Sequence, residues 1–454
     1  MLIRGAALAD GRVRDVRVRG QTIAAVGEAL EAGPDESVLE ASENLLLPGM
    51  IDVHVHFREP GFSHKETWAT GTRSAAAGGV TTVVDQPNTD PPTVDGDSFD
   101  TKLEYAADSL VDFGLNGGVT PDWIPGTLLR RNIFALGEIF LADSTGDMGV
   151  SPELYAEALD RAVGRDVKVT VHAEDASEFN RSARERDDAD AWSAYRRARA
   201  EVSAVRQAVG IAQRRDARIH VAHASTPGGI DVAAEAGMTT EVTPHHMLLS
   251  RTDLRELGTF GRMNPPLRRE KRRQRVYDRV VDGTVDVVAT DHAPHTRAEK
   301  EVGIWEAPSG VPGVETALPL LLAEAREGPL THERIRDLTA RNPARIFGLP
   351  NKGVVDAGMD ADLALFDPEE ARPIRAADLH TKCDWTPFEG REGVFPRWTM
   401  VRGRFVYRRD EDGETFGDPF GRNVRAPAEP DTGEGGAAGP EPGRGDEGSP
   451  ADGA

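Results

Sequence analysis

Eight short apolar runs, separated by Ala- and Arg-rich stretches of helical character, constrain the fold of this 454-residue chain more than any other feature. Continuously apolar runs are typical of parallel strands that are buried on both faces. Eight such strands alternating with helices predict a (β/α)8 barrel, an α/β fold of the TIM type, over residues 49–349. The predicted strands are 50–55, 80–84, 113–115, 133–141, 167–171, 219–221, 239–242 and 285–289.

Strand-like runs also occur at both ends of the chain, outside the predicted barrel. Residues 1–48 contain the runs 2–7, 13–18, 22–26 and 38–39, and residues 350–424 contain the runs 363–366 and 400–406. Gly and Asp turns separate the first set, as is typical of a small β unit. We therefore expect a small split β-sandwich domain built from both ends of the chain.

The last segment, residues 425–454, is acidic and rich in Gly and Pro, and it lacks any apolar period. A segment of this composition cannot bury enough apolar surface to offset the entropy lost on ordering. We expect this tail to be disordered and to take no part in catalysis.

The balance of charge is strongly acidic. The formal net charge is −22, and only seven of the 54 basic residues are lysine. An acidic, lysine-poor surface stays hydrated where salt reduces the Debye length to ~3 Å, so the composition indicates a halophilic host. GC-rich coding would equally explain the arginine excess. The charge also argues against nucleic acid as a partner, because phosphate binding needs a basic face.

Several features bear on the compartment and the partners. The chain has no uninterrupted run of eighteen apolar residues, and its N-terminus runs directly into a strand-like pattern. We therefore expect a soluble protein with no signal peptide and no membrane partner. The single cysteine, Cys383, cannot form an internal disulfide, which fits the cytoplasm. The partners that we expect are a small-molecule substrate and further copies of this chain in a homo-oligomer.

Histidines and carboxylates stand at the ends of the predicted barrel strands. His54 and His56 are two residues apart, so both side chains lie on one face of the first strand. A lone His-x-His is weak evidence, because two histidines on an exposed strand give the same pattern. Further strand-end residues strengthen it, since the carboxyl ends of barrel strands converge on one site. These further candidates are Glu138, His172, His223 and Asp291.

Imidazole and carboxylate ligands suit zinc, and catalytic zinc sites leave room for water. Four histidines and two carboxylates are too many for one tetrahedral ion. The set therefore predicts two zinc ions that share a bridging ligand.

The segment Asp-Val-His-Val-His-Phe-Arg-Glu-Pro-Gly at 52–61 and several other motifs resemble the amidohydrolase superfamily and, within it, the dihydroorotases. The resemblance covers nearly the whole chain except the tail. The other matching motifs lie at 77–84, 87–89, 241–246, 264–268, 291–295, 310–315, 352–362 and 386–390. The first segment and the Asp291 segment are the most specific of these.

The resemblance implies that His54, His56 and Asp291 hold one metal and that His172 and His223 hold the second. Many relatives bridge the two ions with a carboxylated lysine on the fourth strand, where this chain has Glu138. Glutamate supplies a carboxylate directly, but its side chain is shorter. We favour Glu138 as the bridge, with Asp143 as the alternative; Asp143 would otherwise be a loop or helix-capping residue.

The resemblance also implies a reaction, the reversible hydrolysis of the cyclic amide of dihydroorotate to N-carbamoyl-aspartate in pyrimidine synthesis. In that reaction Asp291 would be the catalytic residue that moves the proton. Alternatives are an allantoinase, a hydantoinase-like enzyme or an inactive scaffold homologue.

Substrate recognition is implied for four residues that do not hold metal. Arg58 and Asn88 would hold the substrate carboxylate, with His295 acting from the opposite side, and Asn264 would contact the ring. A guanidinium suits this task because it can bind a carboxylate bidentately. The alternative for Arg58 is a surface ion pair with Glu59. Residues 305–313, rich in Gly and Pro, are a candidate for the loop that closes over the substrate.

Overall fold

The computed structural model describes residues 1–141 and 148–427. The strands are β1 (Leu2–Leu8), β2 (Val13–Arg19), β3 (Thr22–Gly27), β4 (Val38–Glu40), β5 (Leu45–Pro48), β6 (Met50–Val55), β7 (Val80–Asp85), β8 (Asp112–Leu115), β9 (Ala135–Phe140), β10 (Lys168–His172), β11 (Ile219–Val221), β12 (Thr239–Val242), β13 (Val287–Val288), β14 (Leu363–Pro373), β15 (Glu392–Val401), β16 (Arg404–Asp410) and β17 (Gly413–Phe416).

The α-helices are α1 (Trp68–Ala77), α2 (Gly96–Tyr105), α3 (Pro125–Leu128), α4 (Pro152–Val163), α5 (Asp190–Tyr195), α6 (Ala198–Gln213), α7 (Pro227–Glu235), α8 (Pro244–Leu248), α9 (Leu254–Leu257), α10 (Glu270–Asp282), α11 (Arg297–Lys300), α12 (Ala317–Glu327), α13 (His332–Arg336) and α14 (Asn342–Phe347). In the described ranges, no helix combines the length and the apolar character needed to cross a membrane.

The predicted barrel is confirmed. Strands β6 to β8 form one parallel arc and strands β9 to β13 form a second, each in chain order. Single parallel bridges join Gly117 to Leu136 at one seam and Val55 to His292 at the other, which closes the ring. Strand β6 is buried at every position, as expected of a strand covered on both faces.

The two ends of the chain form one nine-stranded sheet, which confirms the predicted small β domain. Strand β5, which the sequence did not predict, pairs with both β1 and β14 and so joins the two ends. The predicted single strand at 400–406 is wrong. Residues Arg402 and Gly403 have φ of 43° and 77° and form a two-residue turn between β15 and β16, the geometry of a tight hairpin.

A buried lysine ties this sheet to the barrel. Lys352 Nζ lies 2.8 Å from Asp112 on β8 and 3.3 Å from Asp360, and it also contacts Asp362 just before β14. The two carboxylates Asp112 and Asp362 are buried. The ammonium group balances both negative charges, and Arg402 Nη2, 3.1 Å away, also pairs with Asp112. Such pairing matters because an unpaired buried charge is costly.

We expect Lys352→Met to lower the free energy of unfolding by about 3 kcal/mol, since Asp362 loses its buried cation and Asp112 keeps only Arg402. Urea unfolding at neutral pH measures the change. Lys271→Met is the matched control because Lys271 is exposed on α10, and a surface substitution of this kind shifts stability by ~0.5 kcal/mol or less. Equal shifts for the two variants would contradict the assigned role of Lys352.

Candidate active site

The carboxyl ends of the barrel strands bring the six predicted metal ligands together in one buried site. His54 and Glu138 lie within β6 and β9, and His172 ends β10. His56, His223 and Asp291 follow β6, β11 and β13 by one to three residues. All six side chains are buried. They are His54, His56, Glu138, His172, His223 and Asp291.

Glu138 lies between two groups of histidines. Ligand atoms of His54, His56 and Glu138 lie within 4.8 Å of one another, as do those of Glu138, His172 and His223. Its Oε1 lies 2.9 Å from His172 Nδ1 and 2.5 Å from His223 Nε2, and its Oε2 lies 3.4 Å from His54 Nε2. The shorter glutamate side chain therefore reaches both groups.

The charge state of Glu138 follows from these neighbours. Burial alone would raise the pKa of this carboxyl, but His223, His54 and the hydrogen bonds from His172 and His223 hold it well below its usual range. The residue is therefore a carboxylate at neutral pH. Asp143, the alternative bridge, lies outside the described residues.

The backbone at Gly137 allows Glu138 to take this position. Gly137 has φ of 133°, and a Cβ there would lie 2.4 Å from the carbonyl oxygen of Thr170 on the neighbouring strand β10. A side chain at 137 would push β9 away from β10. The glycine therefore brings Glu138 close to His172 at the end of β10.

Asp291 lies on the other side of the site. Its Oδ1 is 3.0 Å from His56 Nε2 and 3.6 Å from His54 Nε2. Burial would raise the pKa of Asp291, but the hydrogen bond with His56 and the charge of the nearby histidines lower it. An ionised carboxylate at this position can accept a proton.

Outer hydrogen bonds fix the orientation of the histidines on β6. His54 Nδ1 donates to Glu241 Oε1 at 2.5 Å, and His56 Nδ1 donates to Asn88 Oδ1 at 2.7 Å. Both rings thus direct Nε2 into the site. His54 Nε2 is buried without a hydrogen-bond partner, which is rare for a polar atom. A metal ion would satisfy this orphaned nitrogen, so the residues present fit a metal site.

The histidine on β10 has the same kind of support. His172 Nε2 lies 3.2 Å from Glu174 Oε2, and Glu174 also accepts a hydrogen bond of 2.8 Å from Arg196 Nε. The sequence analysis missed Glu174 and Glu241 as supporting residues. The available signal was the occurrence of each carboxylate in or directly after an apolar barrel strand, where a charge needs a partner.

Arg58 is buried at the site and not on the surface. Its Nε donates to the carbonyl oxygen of Pro294 at 3.2 Å, and its side chain is 4% exposed. Glu59 instead accepts a hydrogen bond from the backbone N–H of Trp68, which excludes the surface ion pair. Burial lowers the pKa of Arg58 to about 10, so the guanidinium remains charged at neutral pH.

His295 is expected to act on the substrate carboxylate from the opposite side, and this stays a prediction. It lies beside Arg58, with Nε2 3.2 Å from Arg58 Nη2 and 3.0 Å from the carbonyl oxygen of Ser309. Lys65 Nζ donates to its Nδ1 at 3.2 Å. His295 is therefore placed to support Arg58.

A small cavity opens onto the ligand set. Arg58, Asn88 and Asn264 line it, together with Ser309 and Gly310 of the predicted closing loop.

Arg58, His223 and Asp291 have φ of 68°, 34° and 46°. Positive φ at residues other than glycine costs roughly 1–3 kcal/mol each and is concentrated at functional sites.

Comparisons with known proteins agree with this geometry. The model of the amidohydrolase family matches residues 45–406, and the chain belongs to this family. It is 61% identical to a dihydroorotase from Halobacterium salinarum over 93% of this chain and 99% of that protein. An allantoinase from Rubrobacter xylanophilus is 36% identical over 94% of this chain and 97% of the relative.

The fold is also that of a solved cyclic amidohydrolase. An L-hydantoinase from Arthrobacter aurescens superimposes with a TM-score of 0.88 at 26% identity, covering 92% of this chain and 98% of that structure. The chain thus shares the barrel and the terminal sheet with this hydantoinase, whose name denotes a cyclic amide substrate. The chain is a hydrolase of cyclic amides.

Proposed function

We propose that the chain is a dihydroorotase, which reversibly hydrolyses the cyclic amide of dihydroorotate to N-carbamoyl-aspartate in pyrimidine synthesis. The observation that carries the proposal is the buried, charged Arg58 in the wall of the metal-ligand cavity. Dihydroorotate bears a carboxylate that this cation can bind. The 61% identical dihydroorotase supports the same assignment.

We propose zinc as the metal, with two ions per subunit. His54, His56 and Asp291 would hold one ion, His172 and His223 the other, and Glu138 would bridge them, as its two contacts to the histidine groups suggest. Bound there, zinc would lower the pKa of water and polarise an amide carbonyl.

The chain's own contribution to the chemistry is centred on Asp291. Its carboxylate would take the proton from the attacking water and pass it to the ring nitrogen as the C–N bond breaks. The nearby histidines His56, His54 and His223 hold the pKa of this carboxyl below its usual value, so it stays ionised. In the reverse direction the same group would take a proton from the ureido nitrogen as the ring closes.

Substrate binding would use the other wall of the cavity. Arg58 would bind the substrate carboxylate, and the amide group of Asn88, whose Oδ1 already accepts from His56, would present its Nδ2 to the same carboxylate. Trp192 Nε1 donates to Asn264 Oδ1 at 3.1 Å and so orients Asn264 toward the ring. His295 and Lys65 would hold Arg58 in place from behind.

Allantoinase is the second candidate, because a relative of that name aligns over nearly the whole chain. Hydantoins and dihydropyrimidines lack the carboxylate that Arg58 would pair with, so the buried guanidinium favours dihydroorotate. An inactive scaffold is disfavoured because the four histidines and Glu138 form two clusters that could hold metal, and Asp291 lies 3.0 Å from His56 beside them. We also propose a homo-oligomeric, cytoplasmic enzyme adapted to high salt, as the net charge of −22 suggests.

We expect purified, zinc-loaded protein at high salt to hydrolyse dihydroorotate with a kcat/KM at least about a hundredfold above those for allantoin and hydantoin, because only dihydroorotate pairs with Arg58. Steady-state assays with the three substrates measure the ratio. Removal of metal by a chelator should abolish turnover, and zinc should restore it. Faster turnover of allantoin would replace the proposed substrate.

A further inference from the structure

A second cavity, which we call the arginine cavity, lies apart from the active site and shares none of its lining residues. Its volume is about 390 Å³, within the range of small-molecule sites. Seven of its lining residues are arginines and none is acidic: Arg186, Arg197, Arg199, Arg251, Arg268, Arg269 and Arg272. Such a cluster is unexpected in a chain with a net charge of −22.

Three of these arginines have no counter-charge from the described part of the protein. Four of the seven form ion pairs, with Asp188, Asp190, Glu178 and Glu201 as the partners. Within residues 1–141 and 148–427, Arg197, Arg269 and Arg272 have no carboxylate oxygen within 4.0 Å. The Nε of Arg197 is also buried without a hydrogen-bond partner. The cavity therefore carries positive charge that no carboxylate of residues 1–141 and 148–427 pairs with.

Two helices begin at the same cavity. Arg197 is the N-cap residue of α6 and Arg269 that of α10, and neither side chain caps its helix. Ser, Thr, Asp and Asn are the usual N-caps, and a cation at the positive end of a helix dipole is unfavourable. An arginine at both N-termini is explained if an anion binds between them, because helix N-termini and guanidinium groups both bind phosphate.

We propose that the arginine cavity binds a small oligophosphate anion, as a site distinct from catalysis. A single inorganic anion would engage only part of this surface, whereas a chain of phosphates can contact both helix N-termini and several guanidinium forks together. This class of ligand includes both free oligophosphate and the phosphate chain of a nucleotide.

One lining residue, Arg268, is held by contacts within the protein. Arg268 donates to Ser225 Oγ at 2.9 Å and to the carbonyl oxygen of Arg196 at 2.6 Å, and it pairs with Glu201. These contacts hold it toward the barrel. Arg269 and Arg272 are exposed and are not held in this way, so we choose them for substitution.

Isothermal titration of the zinc-loaded full-length protein with tripolyphosphate tests the proposal, with sulfate at matched ionic strength as the reference anion. We expect saturable binding of one tripolyphosphate that is tighter than that of sulfate. The double variant Arg269→Gln/Arg272→Gln should weaken it about tenfold or more, the loss of two charge-assisted contacts. A nucleoside triphosphate as the second titrant distinguishes the two sources of the phosphate chain.

Arg255→Gln/Arg275→Gln is the matched control, since both residues are exposed, lie outside the cavity and change the net charge equally. Binding should be unchanged in this control. Oligophosphates also bind zinc, but chelation would affect the wild type and both double variants alike. Equal affinities in all three proteins, or tripolyphosphate binding no tighter than sulfate, would overturn the proposal. If the double variant does not fold, Arg272→Gln alone provides the same comparison.

Discussion

Arg58→Met should reduce kcat/KM for dihydroorotate by about a hundredfold or more, while zinc content stays near that of the wild type. Methionine fills a similar volume but removes the charge-assisted hydrogen bonds to the substrate carboxylate. Arg58 lies near the ligand set without belonging to it, and its own Nε donates to the carbonyl oxygen of Pro294. Steady-state kinetics and elemental analysis of the dialysed protein give the two readouts.

Two comparisons separate substrate recognition from a structural role. Arg58→Lys keeps the charge but loses the planar fork, so we expect it to recover only part of the lost activity. Any residual turnover of hydantoin, which has no carboxylate, should fall much less than dihydroorotate turnover in Arg58→Met. Parallel losses of zinc and activity would assign Arg58 to the framework of the metal site.

The barrel could be predicted because its strands are apolar on both faces and repeat with helices between them. The run 50–55 coincides with β6, and 219–221 and 239–242 coincide with β11 and β12. The strand at 400–406 was wrong because Arg402 gives no sign in the sequence that it adopts positive φ. Strand β5 was missed because Leu45–Pro48 reads as a continuation toward β6.

The candidate site was predictable where its residues lie at strand ends. Residues at strand ends, such as His54 and Asp291, follow from the barrel itself, because its topology fixes where strand ends meet. The close approach of His295 to Arg58 did not follow, since it depends on the course of the loop after β13, in which the carbonyl oxygen of Pro294 accepts from Arg58 Nε. Glu241 was also missed as the partner of His54, because the pairing joins residues 187 positions apart.

The other large effect is expected for substitution of Glu138, which stands where many relatives have a carboxylated lysine. Glu138→Ala should lower metal affinity by about a hundredfold or more, since it removes a carboxylate that contacts both histidine groups. The Glu138→Ala substitution would also remove the negative charge that lies between the two histidine groups. Metal content after dialysis against a weak chelator measures the effect without reference to activity.

Glu138→Gln distinguishes the charge of this residue from its shape. Glutamine is nearly isosteric and retains one oxygen that can accept from His172 or His223, but it cannot supply a second anionic oxygen to the His54 group. We expect one metal to be retained more strongly than the other in this variant, whereas Ala should weaken both. Full occupancy by two metals in Glu138→Ala would move the bridge to another carboxylate, for which Asp143→Ala is then the decisive variant.

Because the bridge would be a carboxylate of the chain itself, metal loading of the wild type should proceed equally well in buffers freed of carbon dioxide, unlike loading that needs a carboxylated lysine.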